Sequence, residues 1–302
     1  MSPAPEPQLV DDYVHLTAGP RLAIRRCDGP LRPFLLVHGL ASNARLWDGV
    51  AARLASAGHE VVSVDLRGHG RSDETPDGYD TATAAADLST LIGLLGWTGD
   101  RAPVAAGQSW GGNVVLTLEA TYQGVAAIAL VDGGWIHLSD RYPTFDECWE
   151  KLAPPTFEGW TRADLQARAR SWNTDWPEEG RAGALANFRD LPDGTVRANL
   201  SREHHKRILY SLWQDDPRRL YPKVTVATTL MAAVAAVPEQ PIPVTEAAEH
   251  IPDALLVWYV GAHHDLHAQQ PGRCAADLLS LADRASDAAS TTGGDGPILS
   301  GR

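Results

Sequence analysis

Ser109 stands in the run Gly107-Gln108-Ser109-Trp110-Gly111-Gly112, between a short apolar stretch and a segment of helical period. Glycines two residues away on each side permit a very sharp strand-to-helix turn, because a side chain at either place would strike neighbouring backbone. Such a nucleophile elbow holds a hydroxyl out at the carboxyl edge of a sheet, where it can attack a carbonyl. Further along, Gly261-Ala262-His263-His264-Asp265-Leu266-His267 offers three imidazoles within five residues, any one of which could take the serine proton. A metal held by these histidines is the competing chemistry. No other His, Cys, Asp or Glu grouping has ligand spacing, so no metal is expected. His38-Gly39 ends an earlier apolar run and can turn the chain so that the Leu40 N–H faces the same edge. With the N–H of Trp110, at the positive end of its helix, that donor would form an oxyanion hole.

These residues meet only if the elements around them build one sheet. Short β-branched or leucine-rich runs at 34–37, 61–64, 104–106, 126–131, 224–234 and 254–260 alternate with segments of helical period, the signature of a mostly parallel sheet with crossover helices. Leu46, Trp47, Val50 and Leu54 share one helical face; Leu88, Leu91, Ile92 and Leu95 share another, stopped by Gly96. Val114, Val115 and Leu118 make a third face, and helices are predicted over 244–250 and 268–285. From 135 to 220 strand signal is scarce, while Trp135, Trp149, Trp160, Trp172, Trp176 and Trp213 are scattered among charged and helix-prone stretches. This stretch reads as an inserted helical cap. The expected organisation is an α/β core over 9–134 and 221–286, a cap over 135–220, and flexible termini at 1–8 and 287–302. A tryptophan-rich lid suggests an apolar substrate pocket with His38 and Trp135 among its walls, although tryptophans in a small helical unit also serve as its packing core. His204 and His205 are expected at exposed helix positions.

Four motifs, in order, carry a resemblance to the α/β-hydrolase superfamily: His38-Gly39, the loop Asp65-Leu66-Arg67-Gly68-His69-Gly70-Arg71-Ser72, the serine elbow, and Gly261-Ala262-His263-His264-Asp265. The resemblance runs from the strand at Phe34 to the helix at Ala268. It implies an α/β-hydrolase fold with an inserted helical cap, Ser109 as nucleophile, and His264, the second histidine of the G-x-x-H segment, as base. The Asp65 loop is then a structural turn beside the site. The chain departs from the family's usual pattern at the acid. After the strand before the final one it reads Met231-Ala232-Ala233-Val234-Ala235-Ala236-Val237, with no carboxylate until Glu239. Some family members place the acid after the strand that follows the elbow helix, where this chain has Asp132. Asp132 is preferred over Glu239, since a strand end fixes a side chain better than a proline-flanked loop. The competing reading of Asp132 is a cap of the turn before Gly133. A serine at the elbow disfavours relatives that use aspartate there, such as epoxide hydrolases and haloalkane dehalogenases.

The implied activity is hydrolysis of an ester, thioester or lactone of a largely apolar small molecule through an acyl-enzyme, with no cofactor. The rival readings are acyl transfer, cyclisation or C–C cleavage by the same residues, a non-catalytic ligand receptor, and a cofactor-free oxidoreductase. Composition narrows the partners. In 302 residues, 26 Lys and Arg against 38 Asp and Glu give a formal net charge of −12, which repels nucleic-acid backbones and anionic membranes. A small-molecule substrate is expected, and neither nucleic acid nor membrane. Cys27, Cys148 and Cys274 form no C-x-x-C pair, and no export signal or membrane span is read, so a reducing cytoplasm is expected.

Overall fold

The computed structural model describes residues 8–240 and 242–292. An eight-stranded sheet has the order β1-β2-β4-β3-β5-β6-β9-β10. Its strands are β1 (Val10–His15), β2 (Arg21–Cys27), β3 (Leu31–Val37), β4 (His59–Val64), β5 (Val104–Gln108), β6 (Ala127–Val131), β9 (Ala227–Val234) and β10 (Ala254–Val260). From β4 to β10 every neighbour is parallel, while β1 pairs antiparallel with β2 and β2 with β4. A parallel strand buried on both faces reads as a near-continuous apolar run, as residues 34–37, residues 104–107 of β5 and all of β6 do.

Period-two alternation divides those strands between two cores. Leu35, Val37, Ile128 and Leu130 face one core with α2 (Thr81–Leu94) and α3 (Trp110–Tyr122). Phe34, Leu36, Ala129 and Val131 face the other, with α1 (Asp48–Ser56) and α10 (Pro271–Thr292). The helix predicted over 268–285 begins at Pro271 and runs on to Thr292, so 287–292 are helical where a flexible terminus was expected; 1–7 and 293–302 lie outside the described residues. The helix predicted over 244–250 is α8 (Pro243–His250).

The antiparallel start was not foreseen. β1 is an edge strand, five of its six residues exposed, so it carries no apolar run. Its Asp11 faces Arg25, Arg45 and Arg71, whose charges hold the carboxyl below its ordinary range against the opposing effect of burial.

Between β6 and β9 lie α4 (Phe145–Leu152), α5 (Arg162–Trp172), α6 (Glu178–Leu185) and α7 (Arg202–Gln214). They come with a strand pair absent from the sequence reading, β7 (Phe188–Asp190) and β8 (Val196–Ala198). With three residues each and a polar sequence, these strands give almost no periodic signal. The expected exposure of His204 and His205 is also corrected. Each is 8% exposed, His204 stacked on Tyr79 with ring centroids 3.7 Å apart and His205 edge-on to Trp149. Burial holds both imidazoles below their ordinary range, His205 at about 4.

Candidate active site

Strand β5 ends at Gln108 and α3 begins at Trp110, leaving Ser109 alone to make the turn with φ 55° and ψ −122°. A non-glycine residue in that region is strained. The strain is tolerated because the surroundings lock it. The Ser109 N–H donates to Val131 O at 2.9 Å and its carbonyl accepts from Gly112 N–H at 2.9 Å. Gly111 passes so close to β3 that a Cβ there would lie 2.5 Å from His38 O, and a Cβ on Gly107 would be driven into the Gly111 carbonyl. The side chain of Ser109 remains half-buried, and among the described residues its hydroxyl makes no hydrogen bond.

β6 ends at Val131, and Asp132 follows with φ 45°. Its N–H donates to Met231 O at 2.7 Å, and its Oδ1 accepts from Ala233 N–H at 3.0 Å. The other oxygen, Oδ2, lies 2.6 Å from Nδ1 of His264. Gln108 Nε2 donates to His264 O at 3.1 Å, so the histidine loop is tied to both neighbours of the elbow. Burial works against the imidazolium of His264, but the Asp132 hydrogen bond and the charges of Asp265 and Asp132 outweigh it and raise its pKa. Glu239, exposed beyond β9, makes no contact with it. The three imidazoles diverge: His263 is exposed, 3.9 Å from Asp175, and His267 is buried against Trp47 at 4.4 Å. Among the described residues no group of three or more His, Cys, Asp or Glu is placed to hold a metal ion.

Trp110 follows the serine, and Leu40 follows Gly39. Among the described residues neither backbone N–H donates a hydrogen bond, whereas Ala41 N–H reaches His69 Nε2 at 3.3 Å and Ser42 N–H reaches Gly39 O. Gly39 lies against Ser109; a Cβ on it would stand 3.0 Å from the serine Cβ.

The two residues expected as pocket walls are His38 and Trp135. His38 is fully buried. Its Nδ1–H donates to Gly39 O at 2.7 Å and its Nε2 accepts from Leu66 N–H at 3.0 Å. Burial outweighs the Gly39 bond and lowers its pKa to about 4, so it is a neutral brace. Trp135 packs against the α2–α3 core, as Leu40 and Ala41 do. The large cavity lined by β7 and β8 has no tryptophan in its wall; Trp176 packs against Leu46 and Ala268 of the core, and Trp213 bonds Tyr142 O within the insertion. His69 was not singled out by sequence. Its Nδ1–H donates to Arg67 O at 3.0 Å, its ring lies 4.8 Å from that of His38, and burial holds it neutral. Its place two residues after Arg67 in the Asp65 loop was the available signal.

A second serine–histidine–aspartate contact also escaped the sequence reading. His137 lies 2.9 Å from both Ser139 Oγ and Asp140 Oδ1. Arg218 stands 2.7 Å from His137 Nδ1 and 3.0 Å from Asp140. Arg218 thus competes with Asp140 for the Nδ1 that an orienting carboxylate would hold, and no elbow presents that serine.

Residues 32–189 match the family model for the alpha/beta hydrolase fold. The chain is 29% identical over 212 residues to Lipase LipV of Mycobacterium tuberculosis, covering 70% of this chain and 76% of that protein. It is 28% identical to a monoacylglycerol lipase of Mycolicibacterium smegmatis, over 54% of this chain and 59% of that one. A match of 41% identity to a putative non-heme chloroperoxidase of Synechocystis sp. spans only 24% of that protein's length. Among solved structures, E-2-(acetamidomethylene)succinate hydrolase superposes with TM-score 0.76 at 22% identity, covering 91% of this chain and 100% of that one.

Proposed function

We propose, from the premise that this chain belongs to the α/β-hydrolase fold family, that it is a serine hydrolase acting on an ester, thioester or lactone of a small molecule with a largely apolar body. The observation that carries this reading is the 2.6 Å contact of Asp132 with His264, closed beside a strained serine whose hydroxyl is unbonded. Ser109 Oγ attacks the carbonyl as His264 Nε2 takes its proton, and the imidazolium so formed is stabilised by Asp132. The free N–H groups of Leu40 and Trp110 receive the oxyanion. The proton then passes to the leaving group, and water, activated by the same imidazole, releases the acyl group from Ser109. The helices and the β7–β8 pair inserted after β6 act as a cap, which supplies the substrate cavity.

Lipase LipV and the monoacylglycerol lipase support the ester-hydrolase class. The test is labelling by a fluorophosphonate, followed by intact mass of the acyl-enzyme formed from p-nitrophenyl esters of graded chain length. Labelling and turnover lost in Ser109→Ala are expected. A wild-type chain that neither labels nor turns over points to a binding protein and overturns the proposal. Labelling that survives Ser109→Ala overturns it too, and would direct attention to Ser139.

A further inference from the structure

In the β7–β8 pair, Arg189 stands directly opposite Arg197. Like charges across a strand pair are unfavourable, and two residues of a three-residue ladder bear that cost here. Most arginines of this acidic chain are ion-paired, as Arg25, Arg67 and Arg218 are. Among the described residues neither Arg189 nor Arg197 has a carboxylate within ion-pair distance; the one side-chain hydrogen bond of Arg189 is a long 3.4 Å contact with Asn199 O. Partial burial and the neighbouring charge of Arg197 lower the pKa of Arg189, with the more distant charge of Glu74 opposing them.

Both guanidinium-bearing residues line a cavity of about 860 Å³, a size that takes a small organic ligand. Much of its wall is apolar, with Pro154, Phe157, Leu191, Val196 and Leu200. The third arginine there, Arg202, is pinned to Pro154 O and lies 5.0 Å over the Trp149 ring. Of the wall carboxylates, Asp193 holds Thr195, Glu158 stands on an exposed loop, and Glu74, 3.3 Å from His204, is about half exposed and beyond ion-pair distance of both arginines. The cavity also reaches Ala41, which follows the Leu40 donor. Asn43 on that loop bonds Asn187 at 2.5 Å, fixing the base of the strand pair over it.

We propose that this cavity receives the portion of the substrate remote from the scissile carbonyl, and that Arg189 and Arg197 together clamp a carboxylate at its end. This rests on the reading of Ser109 given above. An anion between the two guanidinium groups turns their repulsion into two charge-assisted contacts, and the planar fork of arginine matches a carboxylate. The apolar wall would hold the chain between the two ends.

The test compares p-nitrophenyl hexanoate with the mono-p-nitrophenyl ester of adipic acid, which differs by a terminal carboxylate. The wild type should favour the charged ester in kcat/KM. Arg189→Gln and Arg197→Gln should each reduce that preference about tenfold to a hundredfold, while the neutral ester changes less than about threefold. Glu158→Gln should leave the preference intact or raise it. A wild type that favours the neutral ester, arginine variants that weaken both esters alike, or a preference lost on Glu158→Gln would overturn the clamp. A second readout needs no turnover: millimolar adipate should raise the Tm of Ser109→Ala, and the added Arg189→Gln and Arg197→Gln pair should abolish the rise. No rise, or an equal rise with inorganic phosphate, rejects a carboxylate site. If the wild type turns over neither ester and resists fluorophosphonate, the reading of Ser109 has failed, and the adipate shift still decides the clamp.

Discussion

At the scale of single residues, the chemistry depends on how side chains are held. His264 is raised above the ordinary imidazole value because Asp132 and Asp265 favour its charged form more than burial opposes it. A base acts when neutral, so activity should fall as pH drops through that raised value. Asp132→Asn removes a charge that favours the imidazolium; the acidic limb of kcat/KM should move to lower pH, and kcat should fall by about 10² to 10⁴. Glu239→Gln should leave both unchanged, and a profile that moves only in the Glu239 variant would reverse the assignment. His69 is a positioning residue: its Nε2 accepts from Ala41 N–H, the donor next to Leu40. His69→Phe should lower kcat about tenfold with little change in KM, since one oxyanion donor is worth about 10² to 10³. A change confined to KM would contradict that role. The glycines around Ser109 could be read from sequence because their requirement is local. The roles of the braces His38 and His69 could not, since their bonds reach Leu66 and Ala41, each 28 residues away along the chain.

At the scale of elements, the close approach of α3 to β3 sets the elbow. Gly111→Ala would place a methyl 2.5 Å from His38 O and 2.7 Å from Val37 O, both backbone atoms that cannot yield. A loss of about 3 kcal/mol is expected, read as a denaturation midpoint. Gly93 on the exposed end of α2 meets nothing within 4 Å, so Gly93→Ala should instead gain about 0.5 kcal/mol. Equal effects at the two sites would refute the packing account. Residues 34–37 of β3, 104–107 of β5 and all of β6 were legible because burial on both faces makes them continuously apolar. β1, β7 and β8 were not, because an exposed edge or a three-residue ladder needs no apolar pattern.

At the scale of the whole molecule, a chain of hydrogen bonds joins the insertion after β6 to α2 and α3. Trp110 Nε1 donates to Thr81 Oγ1 at 3.2 Å, Thr81 meets Ser211 of α7 at 2.9 Å, and Ser211 donates to Asp215 at 2.6 Å. The interior also buries neutral imidazoles. Burial lowers His38 and His205 to about 4 and His267 to about 3. Groups whose folded pKa lies below the unfolded value of about 6.5 bind protons preferentially when unfolded, so stability should fall from pH 6.5 toward 3. His264, raised, acts in the opposite sense, its contribution being lost as pH rises through its folded value. His267 has neither ring nitrogen bonded within the described residues. His267→Phe should therefore raise Tm more at pH 5 than at pH 8, and an equal change at both would show that its protonation plays no part.

The sequence by itself determined which kinds of group this protein can bring to a carbonyl. An elbow flanked by glycines and a parallel sheet made of continuous apolar runs are requirements met within a few residues of chain, so they leave local marks. Only the tertiary structure decided that His264, among three neighbouring histidines, meets Asp132, and that Arg189 faces Arg197 over a cavity. Those outcomes depend on how the loop after β10 is laid across the end of β6, and on how a short strand pair folds back over the Leu40 loop. Such placements are fixed by contacts between segments more than a hundred residues apart in the chain, as between Asp132 and His264 or Asn43 and Asn187.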